Sequence, residues 1–181
     1  MGHDLTAPAE LSFRRYGEDA PPHAHDFDQI VLPRRGVLEM EIDGKGGRVD
    51  PGRAAVIPPG TRHVCAADGE NLFVVADIDG ALMRPFERLR ERPFAPVTGA
   101  VHGLLAFLAG EAPGAIDDGV AGLWTPLLLR GLSTAPIAVD SRLTRAAAMI
   151  EACFDRPLTV RDLAAEAGMS QSRFFARFSE A

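Results

Sequence analysis

The sequence predicts an α+β protein: a small β-barrel or sandwich at the amino end, then helices that finish in a helix-turn-helix segment. Three observations lead there. Residues 11–78 break into six or seven short β-rich runs divided by Gly and Pro turns. From about residue 81 the apolar spacing changes to a helical period. Residues 140–181 place two amphipathic helical stretches around a tight glycine turn.

The elements follow in order. LSFRRY alternates weakly, FDQIVLP and VLEMEID are β-rich runs separated by RRG, and DGKGG is a glycine-rich turn before a short RV. RAAVIPPG is a strand stopped by two prolines, and LFVVADI is a buried strand by composition. ALMRPFERLRERP reads as a short, proline-interrupted helix. GAVHGLLAFLAGE carries Val101, Leu104, Leu105 and Leu108 at helical spacing. DGVAGLWTPLLLRGL does the same with Val120, Leu123, Leu127 and Leu128, and Pro126 is expected to kink or shorten that helix. These two helices need a cover, either the barrel or a second subunit. STAPIAV, residues 133–139, reads as a linker.

SRLTRAAAMIEACFD is an amphipathic helix with Leu143, Ala147, Ile150 and Phe154 on one face. Pro157 and Leu158 follow. Thr159 with Asp162 makes a capping-box start for VRDLAAEA. Gly168 turns the chain and Ser170 caps QSRFFARFSE. The predicted domains are 1–80 for the barrel, 81–132 for a helical dimerisation or docking region, 133–139 for the linker and 140–181 for the helix-turn-helix segment.

Net charge is −6, from 19 basic and 25 acidic side chains. Residues 140–181 hold six of each, so the acidity lies in residues 1–139, which disfavours broad binding of nucleic acid or anionic membrane there. Cys65 and Cys153 lie far apart and form no CxxC, which points to reduced thiols. The start, MGHDLTAPAE, lacks the basic segment and apolar run of a signal peptide, and no apolar stretch reaches the ~20 residues that span a bilayer. A cytoplasmic location is expected. No P-loop, nucleophile elbow or dinucleotide fingerprint is present.

His23 and His25 are two apart, so on a strand both imidazoles face one way. Gln29, at an even offset, shares that face. His63 follows the Pro-Gly turn of Pro58 and Gly60. Cys65 is evenly spaced from His63, with a structural thiol as the simpler reading. Arg34 and Arg35 suit either an anion or a solvated turn. Trp124 suits a helix pair, and His102 a helix surface or interface.

These positions resemble the cupin superfamily. Gly17, His23, His25, Gln29 and Gly36 match its first motif in register, with Gln in place of the usual Glu. Gly52, Pro58, Gly60 and His63 match the second, with Ala67 in place of the terminal Asn. The resemblance implies a cupin, a double-stranded β-helix or jelly-roll barrel, over roughly residues 11–80. It also implies a ligand or metal pocket made by His23, His25, Gln29 and His63. Three neutral imidazoles suit a divalent transition metal such as Zn, Ni, Fe or Mn. A neutral Gln carbonyl offsets less of the ion's charge than a carboxylate does. Alternatively the histidines line an organic-ligand pocket or bond to one another. His and Gln suit a polar or anionic compound.

LTVRDLAAEAGMSQSRFFARFSE resembles the first helix-turn-helix of AraC-type transcription regulators at Leu163, Ala164, Gly168, Met169, Ser170, Phe174 and Phe178. Leu163, Phe174 and Phe178 would form its small core. The resemblance places base contacts at Ser172, Phe175 and Ala176, while Arg173 and Arg177 suit phosphate contacts or a solvated face. Barrel, helical pair and helix-turn-helix is that family's domain order. It implies a non-enzymatic, DNA-binding regulator that senses a small molecule, a metal or both, and forms a homodimer. The family's DNA-binding unit carries a second helix-turn-helix, so the chain is expected to be a fragment truncated after the first. The rival expectation is a cupin metalloenzyme of dioxygenase or isomerase type; a third is a dimerising scaffold with a filled barrel.

Overall fold

Along LEMEI, residues 38–42, apolar and acidic side chains alternate, and burial alternates with them. That is how a strand with one face inward should read. The computed structural model describes residues 5, 7–18, 20–109, 116–134, 141–152 and 158–179. They fall in two compact units, 1–135 and 136–181.

The first unit is a cupin-like antiparallel β-sandwich followed by helices. Its strands are β1 (Ala9–Arg14), β2 (Asp28–Arg35), β3 (Leu38–Ile42), β4 (Lys45–Val49), β5 (Arg53–Ile57), β6 (His63–Ala66), β7 (Leu72–Ile78) and β8 (Phe94–Pro96). They form a five-stranded sheet ordered β1-β7-β2-β5-β8 and a three-stranded sheet ordered β4-β3-β6. Alternate residues of β2 and β7 serve two cores. Val31, Phe73 and Val75 meet Leu38, Met40, Ile42, Val49 and Cys65 between the sheets. Ile30, Leu32, Val74 and Ala76 pack outward on Val101, Leu108, Trp124, Leu128 and Leu132. This explains why LFVVADI is apolar at every position but Asp77: both faces of β7 are covered.

The helices that cover the sheet are α2 (Gly99–Ala109) and α3 (Asp118–Ser133), preceded by α1 (Gly80–Met83) and a 3-10 segment over Arg84–Glu91. Trp124 donates from Nε1 to the Leu104 carbonyl at 3.0 Å, joining the two longer helices as a helix-pair tryptophan. Two expectations change here. Pro126 neither ends nor shortens α3, which runs 16 residues through it. The buried stripe of α3 is Ala121, Trp124, Leu128 and Leu132, while Leu123 and Leu127 are 77% and 58% exposed. Leu128 is buried and Val120 packs against the core, as expected. The run Leu127–Leu129 blurs the period, however, and hides that Ala121, Trp124 and Leu132 complete the inward stripe in place of Leu123 and Leu127.

The sheet also takes β8 from within residues 81–132, pairing Ala54 with Ala95 against β5. Gly47 permits this, because a Cβ there would stand 2.4 Å from the Phe94 ring. Only the Asp43-Gly44 pair of DGKGG is a turn, with φ of +50° and +74°, as a hairpin with two left-handed central residues requires. The later glycines belong to β4.

The second unit contains α4 (Ser141–Ala152), α5 (Val160–Glu166) and α6 (Gln171–Ser179). The expected capping box is formed: Asp162 Oδ2 accepts from the Thr159 amide at 2.9 Å, and Thr159 Oγ1 accepts from the Asp162 amide at 3.2 Å. Gly168, at φ +61°, makes the turn into α6. Ala146, Ala164, Ala167 and Phe174 form the small core, with Leu163 and Met169 packed on it. Phe178 stacks on Phe174 at 5.2 Å between ring centroids but stays 45% exposed, so it borders this core instead of filling it. Among the described side chains of α4, Ala146 is buried and Ile150 is 37% exposed. The side chains of Leu143 and Ala147, together with Cys153, Phe154, Pro157 and most of the expected linker, lie outside the described residues.

Candidate functional site

The first histidine pair does not sit on one regular strand. His23 forms an isolated bridge with His63, exchanging both backbone bonds at 3.0 Å, and β2 begins only at Asp28. The Pro-Gly turn completes the junction: the Gly60 amide, at φ +70°, donates to the His25 carbonyl at 2.7 Å. Together these bonds bring the three imidazoles into one cluster. Ring centroids are 4.2 Å apart for His23 and His63, 5.0 Å for His25 and His63, and 6.5 Å for His23 and His25. His63 is buried, His25 half-buried and His23 exposed.

Each ring is held at Nδ1 by a backbone carbonyl two residues away. The partners are Pro21 at 3.2 Å for His23, Phe27 at 2.8 Å for His25, and Thr61 at 3.0 Å for His63. His25 Nε2 is buried without a hydrogen-bond partner. Burial holds the His63 pKa down at about 4, and burial also lowers that of His25. The His25 and His63 rings are therefore neutral near pH 7.

Gln29 is buried on the inner side of β2, and its Nε2 donates to Asp77 Oδ1 at 2.7 Å. Asp77 Oδ2 accepts from Arg14, whose Nε bonds Ser12 Oγ at 3.0 Å. The register of β2 and β1 on β7 sets this network, placing Gln29 and Glu10 opposite Asp77 on either side. Tyr16 lies edge-on to Phe73 at 5.6 Å, its phenol pKa pushed up to about 12 by burial. Cys65 is buried between the sheets, and burial raises its thiol pKa, so it remains a structural thiol. A cleft of about 370 Å³ lies on the outer side of the β3–β6 pair, lined by Pro22, Glu41, Asp43, Arg62, His63 and Val64, and neither His25 nor Gln29 lines it.

Sequence reading missed Arg14 and Asp77. A signal existed: Asp77 is the one charge inside the apolar run LFVVADI. It missed Asp28 too, which is fully buried on the outer side of β2 and accepts two bonds from Arg90, at 2.8 and 2.7 Å. Of the other candidates, Arg34 lies 4.8 Å from the Phe13 ring and donates to the Leu108 carbonyl at 3.2 Å. Arg35 pairs with Glu70 on the surface. His102 Nε2 meets the Pro51 carbonyl at 2.9 Å.

The fit to a metal ion is mixed. Pinned Nδ1 atoms leave three Nε2 atoms as ligands, which suits an imidazole-binding ion. Rings sharing one ion through bonds of about 2 Å have centroids about 5 Å apart at tetrahedral angles; two of the three pairs approach that, and the His23–His25 pair is wider. Gln29 directs its amide nitrogen to Asp77. Among the described residues no group of three or more His, Cys, Asp or Glu is already arranged to hold an ion.

In the second unit, Ser172, Arg173 and Phe175 are exposed on α6, and Phe175 is 65% exposed. The side chains of Ala176 and Arg177 lie outside the described residues. No helix among the described residues is long and apolar enough to cross a membrane.

No curated protein sequence matches the chain. Among solved structures, the AraC-like transcriptional activator CuxR is similar at 16% identity, covering 95% of this chain and 67% of that one, with a TM-score of 0.47. A protein from Neisseria meningitidis is similar at 18% identity over 40% of this chain and 76% of that one, TM-score 0.37. A Streptococcus pyogenes protein of unknown function is similar at 21% identity over 41% and 68%, TM-score 0.37. Residues 9–96, which include the barrel strands and all three histidines, match the model of the AraC-like ligand binding domain.

Proposed function

We propose that the chain is a cytoplasmic, non-enzymatic transcription regulator of AraC type, in which the barrel senses an effector and the second unit reads promoter DNA. One observation carries this reading. A ligand-binding domain of AraC type stands in the same chain as a separate three-helix unit built as helix, glycine turn and helix. Ser172, Arg173 and Phe175 of α6, with Ala176 and Arg177, are the DNA-contacting set, Arg173 and Arg177 on phosphates and the others on base edges. Effector binding shifts the regulator only if the two states of the protein bind the effector unequally.

The effector site is the cluster of His23, His25 and His63 beside Gln29. It takes a small molecule, a divalent ion of the Zn, Ni, Fe or Mn type, or both. If an ion binds, His23, His25 and His63 hold it through Nε2 with Gln29 as a neutral fourth ligand, and it supplies a Lewis-acid anchor for the effector. Exposed Leu123 and Leu127 on α3 with Phe107 on α2 are the apolar surface of the homodimer.

The test is selection of the purified chain on a random pool of duplex DNA. A recurring sequence should be enriched, and the R173A and F175S variants should lose it. Retention of nothing beyond non-specific, salt-sensitive DNA would overturn the reading.

A further inference from the structure

The outward face of the three-stranded sheet treats two glutamates differently. Strand register sets Glu39 of β3 opposite Arg48 of β4, and the two form an ion pair at 2.7 Å. Glu41, two residues on, sits between Gly46 of β4 and Val64 of β6, and neither neighbour brings a charge. Just past the strand, the Asp43 amide donates to the Arg62 carbonyl at 3.0 Å, which sets those two residues side by side. Glu41, Asp43 and Arg62 are exposed, and among the described residues none of their side chains has a hydrogen-bond or ion-pair partner.

These three charges line the one outer cleft of about 370 Å³, with Val64 and Pro22 as its apolar surface. That volume lies in the range of small-molecule sites. Space beside the charges is free as well, since a Cβ added at Gly44 or Gly46 would meet nothing within 4 Å. Two carboxylates and one guanidinium are complemented by the reverse set: two cationic groups and one carboxylate. Glu41 and Asp43 are two residues apart, roughly 6–7 Å along the chain, a span that the methylene stem of a basic amino acid bridges between its cationic ends. Arg62 offers a planar fork that fits a carboxylate.

We propose that this cleft is a second ligand site, separate from the histidine cluster, for a basic amino acid of the lysine, ornithine or arginine type. The α-carboxylate goes to Arg62, the two cationic groups go to Glu41 and Asp43, and the methylene stem lies on Val64 and Pro22. A neutral amino acid leaves one carboxylate unanswered, and a diamine leaves the guanidinium so. The site stands whether or not the second unit reads DNA. Pro22 precedes His23 and Arg62 precedes His63, so a ligand spanning the cleft holds together the two segments that form the His23–His63 bridge.

The test is amide ¹H–¹⁵N NMR of the full chain, titrated at neutral pH with L-lysine, L-ornithine and L-arginine. The amides of Gly44, Arg62 and Val64 should move saturably with at least one of the three. The E41Q and R62Q variants alter exposed side chains, so the rest of the spectrum should stay in place. Each should weaken binding about tenfold, as the loss of a hydrogen bond to a charged group does. L-leucine and cadaverine each lack one of the three ligand charges, and they should bind more weakly by about the same factor. The proposal fails if none of the three amino acids moves these amides saturably. It fails equally if affinity is unchanged in either variant, or if cadaverine or L-leucine binds as tightly as the basic amino acids.

Discussion

The two faces of β2 handle buried polarity in opposite ways. On the outer face Asp28 is fully buried, and both its oxygens are taken by Arg90 of the 3-10 segment. On the inner face, one residue along, Gln29 and Asp77 lead to a histidine cluster in which one buried nitrogen has no partner. The outer pair is closed and belongs to the architecture: it fixes residues 84–91 against the sheet. The inner cluster is incomplete, and an incomplete buried polar group is where a ligand adds most. Two adjacent residues of one strand thus separate structure from site.

Breaking the closed side should cost most. The R90A variant leaves the Asp28 carboxylate buried and unpaired, and urea unfolding should show a loss of about 3–5 kcal/mol. Next, Q29E places a second carboxylate against Asp77. Stability at neutral pH should fall by about 1–3 kcal/mol, and Zn²⁺ should recover part of it if the cluster holds an ion. A smaller effect is expected away from both faces: T159A removes the capping box of α5 and should cost the second unit about 1 kcal/mol, seen as a lower melting temperature.

The pH dependence sharpens the comparison further. His63 has a folded pKa of about 4, below its ordinary 6.5, because burial disfavours the charged ring. The unfolded chain therefore binds more protons in that interval, and stability falls as pH drops from about 6.5 toward 4. The H63Q variant should lose this part of the slope, whereas R90A should keep it.

Much of this contrast was legible beforehand, and the illegible part has a physical cause. His23, His25, Gln29 and His63 were visible because spacing and turn residues announce them. Their convergence needed the His23–His63 bridge, a pairing across forty residues that no local period encodes. Arg14 and Asp77 were hidden for the same reason, since strand register alone joins them. The stripe on α3 was misread because LWTPLLLRGL is apolar on nearly every side. In the second unit, the Thr159–Asp162 box and Gly168 could be read directly, because caps and turns are local chemistry.

The most direct measurement is thermal unfolding of the chain and of a H25Q/H63Q variant across Zn²⁺, Ni²⁺, Mn²⁺ and a panel of polyols and amines. A compound that binds the folded barrel raises the melting temperature. At least one should do so for the unaltered chain, and the gain should vanish in the double variant. A gain of the same size in both proteins would place binding elsewhere and contradict the account.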